Sequence, residues 1–158
     1  VARDGIVWIG TRDSGVDRLD PETGEIRHFR HDPSDSASLA DDRVYSLLAD
    51  PQGNLWVGTE GGLDRLDRAT GTFEHYRHDP DDPTSLSDNA VWVVFEDRLG
   101  ILWVGTESGG LNRYDPDSHS FVRYQNDPND PDSLSHSRVR AIFEGSSHSL
   151  GKGIIFNR

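Results

Sequence analysis

The chain has 158 residues, 33% of them hydrophobic, with 16 Gly, 8 Pro and a formal net charge of −12. That charge argues against nucleic acid or an anionic membrane surface as a partner. The lack of cysteine removes disulfides and thiol-ligated zinc. The length suits a single domain, yet the short apolar runs broken by glycine and proline imply many strands and turns. No segment carries a 3.6-residue apolar stripe, a membrane-spanning run or a secretory leader.

Taken in chain order, the predicted elements form one block written three times. Trp8-Ile9-Gly10-Thr11 returns as Trp56-Val57-Gly58-Thr59 and as Trp103-Val104-Gly105-Thr106, spaced 48 residues (8 to 56) and 47 residues (56 to 103) apart. The middle copy shows the grammar most fully. Tyr45–Asp50 reads as a strand, Pro51–Asn54 as a turn and Leu55–Thr59 as a second strand. A third strand, Leu63–Asp67, leads through the Thr70-Gly71 turn to a fourth, Thr72–Arg77, with Phe73 and Tyr76 among polar residues. Strands recurring every 8–12 residues or so, with turn signals between them, are an all-β signature. A period in the forties built from four short strands fits a β-propeller blade.

With the four strands lettered A to D, the chain reads B-C-D, A-B-C-D, A-B-C-D, A. The expected fold is therefore all-β: propeller blades of four antiparallel strands, three blade equivalents in permuted order. The blade register falls at about 1–42, 43–90 and 91–137, within a propeller region of 1–144 whose last strand, 138–144, closes a blade. Three blades are too few for a ring, which takes roughly four to eight. Two copies would make six, the terminal strand A of one completing the first blade of the other. The alternative is a longer parent that supplies the adjoining repeats, which suits a chain that opens inside a repeat without a starting Met. Beyond Glu144 the grammar lapses, and residues 145–158 read as a flexible tail or an expression scar, with an added strand at Ile154-Ile155-Phe156 as the alternative.

Gly53 through Trp56-Val57-Gly58-Thr59, followed by Gly62-Leu63-Asp64-Arg65-Leu66-Asp67, resembles the two-component regulator propeller repeat. Gly100 through Thr106 with Gly110-Leu111-Asn112-Arg113-Tyr114-Asp115 repeats the pattern, and Gly15-Val16-Asp17-Arg18-Leu19-Asp20 is a looser copy. The connections Asp32–Leu39, Asp79–Leu86 and Asp127–Leu134 are similar to that family as well. The resemblance implies a sensor propeller outside the inner membrane, in the periplasm or beyond, ahead of a histidine kinase and often associated with glycans. Any kinase, membrane or DNA-binding part would belong to the parent.

Candidate chemistry is sparse. The three tryptophans lie mid-strand beside glycine and read as inter-blade core rather than as sugar-stacking platforms. Asp79, Asp81 and Asp82, like Asp127, Asp130 and Asp132, cluster as calcium ligands do. Their Asp-Pro spacing favours Asx-turn capping of a long crossover instead. His28 and His31, like His75 and His78, are three apart, so on a strand they face opposite sides and do not chelate one ion. They read as solvated strand-edge histidines, replaced by Arg123 and Asn126 in the third copy. No metal, cofactor or catalytic residue is expected.

One set of positions varies inside the fixed frame. After Val44, Val91 and Val139 come Tyr45, Trp92 and Arg140, with Arg43, Ala90 and Arg138 just before and Asn89 one position ahead of Ala90. If strand A is innermost, these residues gather at the axial mouth, and aromatic faces beside Arg and Asn suit a polar or anionic saccharide. The expected ligand-binding residues are therefore Arg43, Tyr45, Asn89, Trp92, Arg138 and Arg140. The function read from the chain is a non-catalytic sensing or interaction module, with self-association (a dimer) or adjoining repeats as partners and an oligosaccharide as the ligand. Two alternatives stand beside it. One is a metal-dependent propeller lyase resembling streptogramin B lyases, for which His136 is the axial histidine. The other is a structural self-assembling fragment without ligand.

Overall fold

A computed structural model describes residues 5–145 and 154–155. Three antiparallel sheets follow one another along the chain. The first holds β1 (Val7–Gly10), β2 (Val16–Leu19) and β3 (Ile26–Phe29), in that spatial order. The second is β4 (Val44–Ala49), β5 (Leu55–Thr59), β6 (Gly62–Asp67) and β7 (Thr72–Tyr76). The third is β8 (Val91–Glu96), β9 (Leu102–Thr106), β10 (Leu111–Asp115) and β11 (Ser120–Tyr124). Each strand pairs with its chain neighbour, as expected of short runs joined by tight turns. The register slips by one residue between Val44 and Ser46 and again between Val91 and Val93, a bulge at the start of each innermost strand.

Alternation along the strands gives each sheet two apolar faces. In β5, Leu55 and Val57 meet Val16, Phe29 and Leu39 of the unit before, while Trp56 meets Val91, Val94, Leu102 and Tyr114 of the unit after. Trp56 is 4% exposed. Its indole N–H donates to Asp50 at 3.0 Å, and Trp103 donates likewise to Asp97 at 2.9 Å. Both carboxylates also close the tight turn that follows, by accepting the N–H of Asn54 and of Ile101. Trp56 and Trp103 are core, and Trp8 is partly buried against it.

At the glycine of each Trp-x-Gly-Thr block, neighbouring units come into close contact. A Cβ added at Gly10 would lie 2.6 Å from Val44 Cγ1, at Gly58 2.7 Å from Val91 Cγ1, and at Gly105 2.6 Å from Val139 Cγ1. Backbone bonds reinforce the approach: the Val44 N–H donates to the Thr11 carbonyl and the Val139 N–H to the Thr106 carbonyl, both at 3.0 Å. The valine that opens each strand A is thus seated on the glycine of the preceding strand B.

The strand expected over 138–144 is realised only at β12, Phe143–Glu144. Val139 is buried in its seat, but among the described residues no second strand of that unit pairs with Arg138–Ile142. Instead β12 pairs antiparallel with β13, Ile154–Ile155, so the segment read as a tail contributes two strand residues. The remainder of that segment, 146–153 and 156–158, lies outside the described residues.

Replacing Gly58 by Ala forces either Val91 or its carbonyl, 2.9 Å from the added carbon, to retreat. Overpacking of this kind costs about 1–3 kcal/mol. Urea unfolding of Gly58→Ala should show that loss, whereas Gly24→Ala, with open space around its added carbon, bears only backbone strain.

Candidate functional site

Four of the six expected ligand residues meet around Trp92. The Arg140 guanidinium carbon lies 4.8 Å from the Trp92 ring centroid and that of Arg138 lies 5.7 Å away. Tyr45 stands edge-on to the same ring at 6.4 Å. The bulges that open β4 and β8 place Tyr45 and Trp92, and the irregular stretch on either side of Val139 lets both arginines fold back over the indole. Cation–π contacts of this kind contribute about 0.5–1 kcal/mol at exposed sites.

Arg43 borders the group, with its Nε 3.7 Å from an Asp13 carboxylate oxygen. The Tyr45 hydroxyl donates to Glu60 at 2.5 Å. That bond, with some desolvation, holds the phenol above its ordinary pKa, and the nearby Arg43 guanidinium pulls the other way. Arg138 lies 3.8 Å from Glu107, a loose exposed pair of small energetic value. Glu60 and Glu107 were missed from the sequence, although both follow the repeated threonine of strand B and could have been found there.

Asn89 does not join them. Its carboxamide oxygen accepts the His78 N–H at 2.7 Å, so the side chain fastens the end of one connection to its beginning. His136 has a similar local task, since its Nδ1 accepts the Arg138 N–H at 2.9 Å.

The acidic connections are built from Asx turns. Asp79 accepts the Asp81 N–H, Asp82 accepts the N–H and hydroxyl of Thr84, and Asp127 and Asp130 accept the N–H groups of Asn129 and Asp132. The Thr84 hydroxyl holds the Asp82 carboxyl below its usual range. These carboxylates cap turns, as their spacing implied.

The histidines differ from the solvated side chains expected of them. His31 and His78 turn Nδ1 to the carbonyls of Leu39 and Leu86 at 2.7 and 2.8 Å, and the Asn126 amide donates to Leu134 at 2.6 Å. His75 instead reaches across to the preceding unit. Its Nδ1 meets the fully buried Asp64 at 2.6 Å and its Nε2 meets the Ser36 carbonyl at 2.9 Å. Both ring nitrogens face acceptors, an arrangement that only the imidazolium satisfies in full. Asp64 also accepts the Ala40 N–H at 2.8 Å. In the third sheet Arg123 takes this position and donates to the carbonyls of Asp82 and Ser85, with Asn112 in place of the aspartate binding Ser87. The sequence pattern said where these side chains point, but not that a loop lies over them.

With the geometry in view, the comparisons with known proteins are informative. Residues 38–61 and 85–108 match the family model described as Two component regulator propeller. Two segments of the chain thus resemble the regulator propeller repeat. The extracellular domain of BT4673 from B. thetaiotaomicron, described as a hybrid two component system, superimposes with a TM-score of 0.71 at 26% identity over 93% of this chain. A curated relative named Histidine kinase P4, from Formosa agariphila, is 35% identical over 57 residues, 36% of the chain. Virginiamycin B lyase from Staphylococcus aureus shares the fold alone, at 21% identity, with a TM-score of 0.61 over 86% of this chain and 41% of its own. The chain spans 18% of the BT4673 domain and 4% of the kinase. The chain therefore resembles domains described as extracellular, over a small part of their length.

The His75 clamp sets a pH dependence. Its hydrogen bond to Asp64 raises the imidazole pKa above the ordinary 6.5, against the lowering effects of burial and of Arg77. A raised folded-state pKa gives stability that is complete below the unfolded value and lost as pH rises through the folded one. Chemical denaturation of the wild type across pH 5.5–8.5 should therefore show this component falling with pH, and His75→Gln should lack it. Equal pH profiles for the two proteins would remove His75 as the cause.

Proposed function

We propose that the chain is a ligand-sensing segment of an extracytoplasmic propeller, non-catalytic in itself, whose capture site is the rim around Trp92. Tyr45, Trp92, Arg138 and Arg140 form the recognition surface, with Arg43 at its border. The observation that carries the reading is the indole of Trp92 with two guanidiniums over it and a phenol at its edge. Exposed aromatic faces take the apolar face of a sugar ring, and guanidiniums take carboxylate or sulfate groups in paired hydrogen bonds. A polar or anionic oligosaccharide fits both. The resemblance to extracellular two component domains supports an extracytoplasmic location and a role in signalling through parts of a longer protein.

Self-association belongs to the same reading. The faces that stack twice within the chain recur at its two ends. Ile9 and Ile26 of the first sheet, equivalent to the buried Val57 and Phe73, are 40% and 52% exposed. Phe95, Trp103, Leu111 and Tyr124 of the third sheet, with Leu134 of the connection that follows it, line an open cavity of about 970 Å³. Two copies stacked through these faces would make six units.

Two measurements test the proposal. In a thermal-shift panel, neutral and acidic oligosaccharides are compared on the wild type, Trp92→Ala and Arg140→Glu. An acidic member should raise the melting temperature of the wild type, and both variants should lose that rise; a panel without any shift overturns the ligand reading. Light scattering should give twice the chain mass of 17.6 kDa, whereas a folded monomer of 17.6 kDa rejects the dimer.

A further inference from the structure

The two internal sheet-to-sheet interfaces are built from equivalent positions, and their differences are chemical. At the second interface, Tyr76 meets Tyr114 hydroxyl to hydroxyl at 2.9 Å and stacks on His119 with centroids 6.4 Å apart. Beside them Arg65 lies over Trp56 at 5.8 Å and is paired with Glu74 at 2.6 Å. The rings take up the space beside Trp56, a cavity of about 240 Å³ lying instead between Tyr76, His119 and the connection at Asp82–Leu86, and the charge is balanced.

At the first interface, Trp8 stands where Trp56 does, Arg18 where Arg65 does and Phe29 where Tyr76 does. Three other positions change. Leu66 replaces Tyr114, Gly71 replaces His119, and Arg27 replaces Glu74. Gly71 and His119 share the left-handed conformation of this turn, with φ of 77° and 53°, so the exchange alters bulk and not backbone. Loss of the two rings leaves a cavity of about 410 Å³ floored by Trp8, Phe29 and Leu66, within the range of small-ligand sites. Reversal of the acid leaves Arg18 and Arg27 as cross-strand neighbours, an unfavourable like-charge pair. Arg68 also lines the cavity, against one acid, Glu25. The lining thus carries an excess of positive charge in a chain whose net charge is −12. Arg27 is held over the Phe29 ring at 4.7 Å, which aligns its guanidinium with the aromatic wall.

We propose that this notch binds a small ring-bearing organic anion. Its carboxylate or sulfate bridges Arg18 and Arg27, relieving their repulsion, and its ring lies on Trp8 and Phe29. The site is at the turn end of the sheets, opposite the Trp92 rim, and is independent of it. Both an aromatic acid and an acidic sugar have this chemistry.

Calorimetric titration of the full chain at low salt tests the site, with benzoate and glucuronate as probes, benzamide as the neutral counterpart and acetate as the charge without the ring. At least one of the two ring-bearing anions should bind with a Kd of about 1 mM or tighter, and benzamide and acetate at least tenfold more weakly. Whichever anion binds more tightly names the source. Arg27→Glu, which restores the pair seen at Arg65 and Glu74, and Gly71→His, which refills the volume, should each weaken binding at least tenfold. The Arg27→Glu melting temperature should not fall. Arg27→Gln serves in its place if that variant fails to fold, and Trp92→Ala should leave the affinity unchanged. No binding of either anion at about 10 mM, equal binding of benzamide, or undiminished binding by a folded Arg27 variant overturns the proposal.

Discussion

Everything in this architecture depends on the seating of a valine against a glycine. Each sheet is too narrow to bury its own apolar faces, and stacking supplies the missing cover. Stacked sheets lie about 10 Å apart when side chains fill the space between them. At the axis the separation must be smaller, because the innermost strands converge. The repeated glycine of strand B makes room for that convergence, and the valine opening the next strand A occupies it at all three junctions. Further out, where the sheets splay, tryptophan and tyrosine fill the widening gap. The gradient from glycine to tryptophan along one strand is the wedge shape of the unit written into its sequence.

Much of this was legible beforehand. A block that returns three times fixes strands to within a residue or two, because turn residues punctuate every copy at the same offset. The second strand was read as Leu55–Thr59 and found there. The group around Trp92 was legible for the opposite reason: positions after the repeated valine change from copy to copy while their neighbours stay the same. Asn89 was misplaced because its use as a cap depends on the His78 N–H, eleven residues away and close only in the folded chain. The extent of the last strand was less legible, because a strand needs a partner as well as a suitable sequence. Arg138–Ile142 has the composition of strand A, and among the described residues no strand B lies beside it.

The connections show how one structural task can be done by different chemistry. The first two long crossovers are each tied down from the following sheet, and the tie is an imidazole with buried Asp64 in one case and a guanidinium with Asn112 in the other. The guanidinium stays charged at any physiological pH, so its tie is permanent. The imidazole is responsive by nature. His28 and Asp17 form the same pair in the first sheet at 2.7 Å, more exposed than the His75 pair.

The aspartate that receives each indole N–H has a consequence for any closed ring. Asp50 and Asp97 stand six residues beyond the valine of strand A and fasten the innermost strand to the tryptophan beside it. Counted the same way from Val139, the position falls on Gly145, which has no side chain to offer. A second copy lending its terminal segment to Trp8 would join without that fastening, and a hydrogen bond to a charged acceptor is worth about 1.5–3 kcal/mol. The seam between copies would therefore be the first to part under load or dilution, giving the assembly a built-in point of opening.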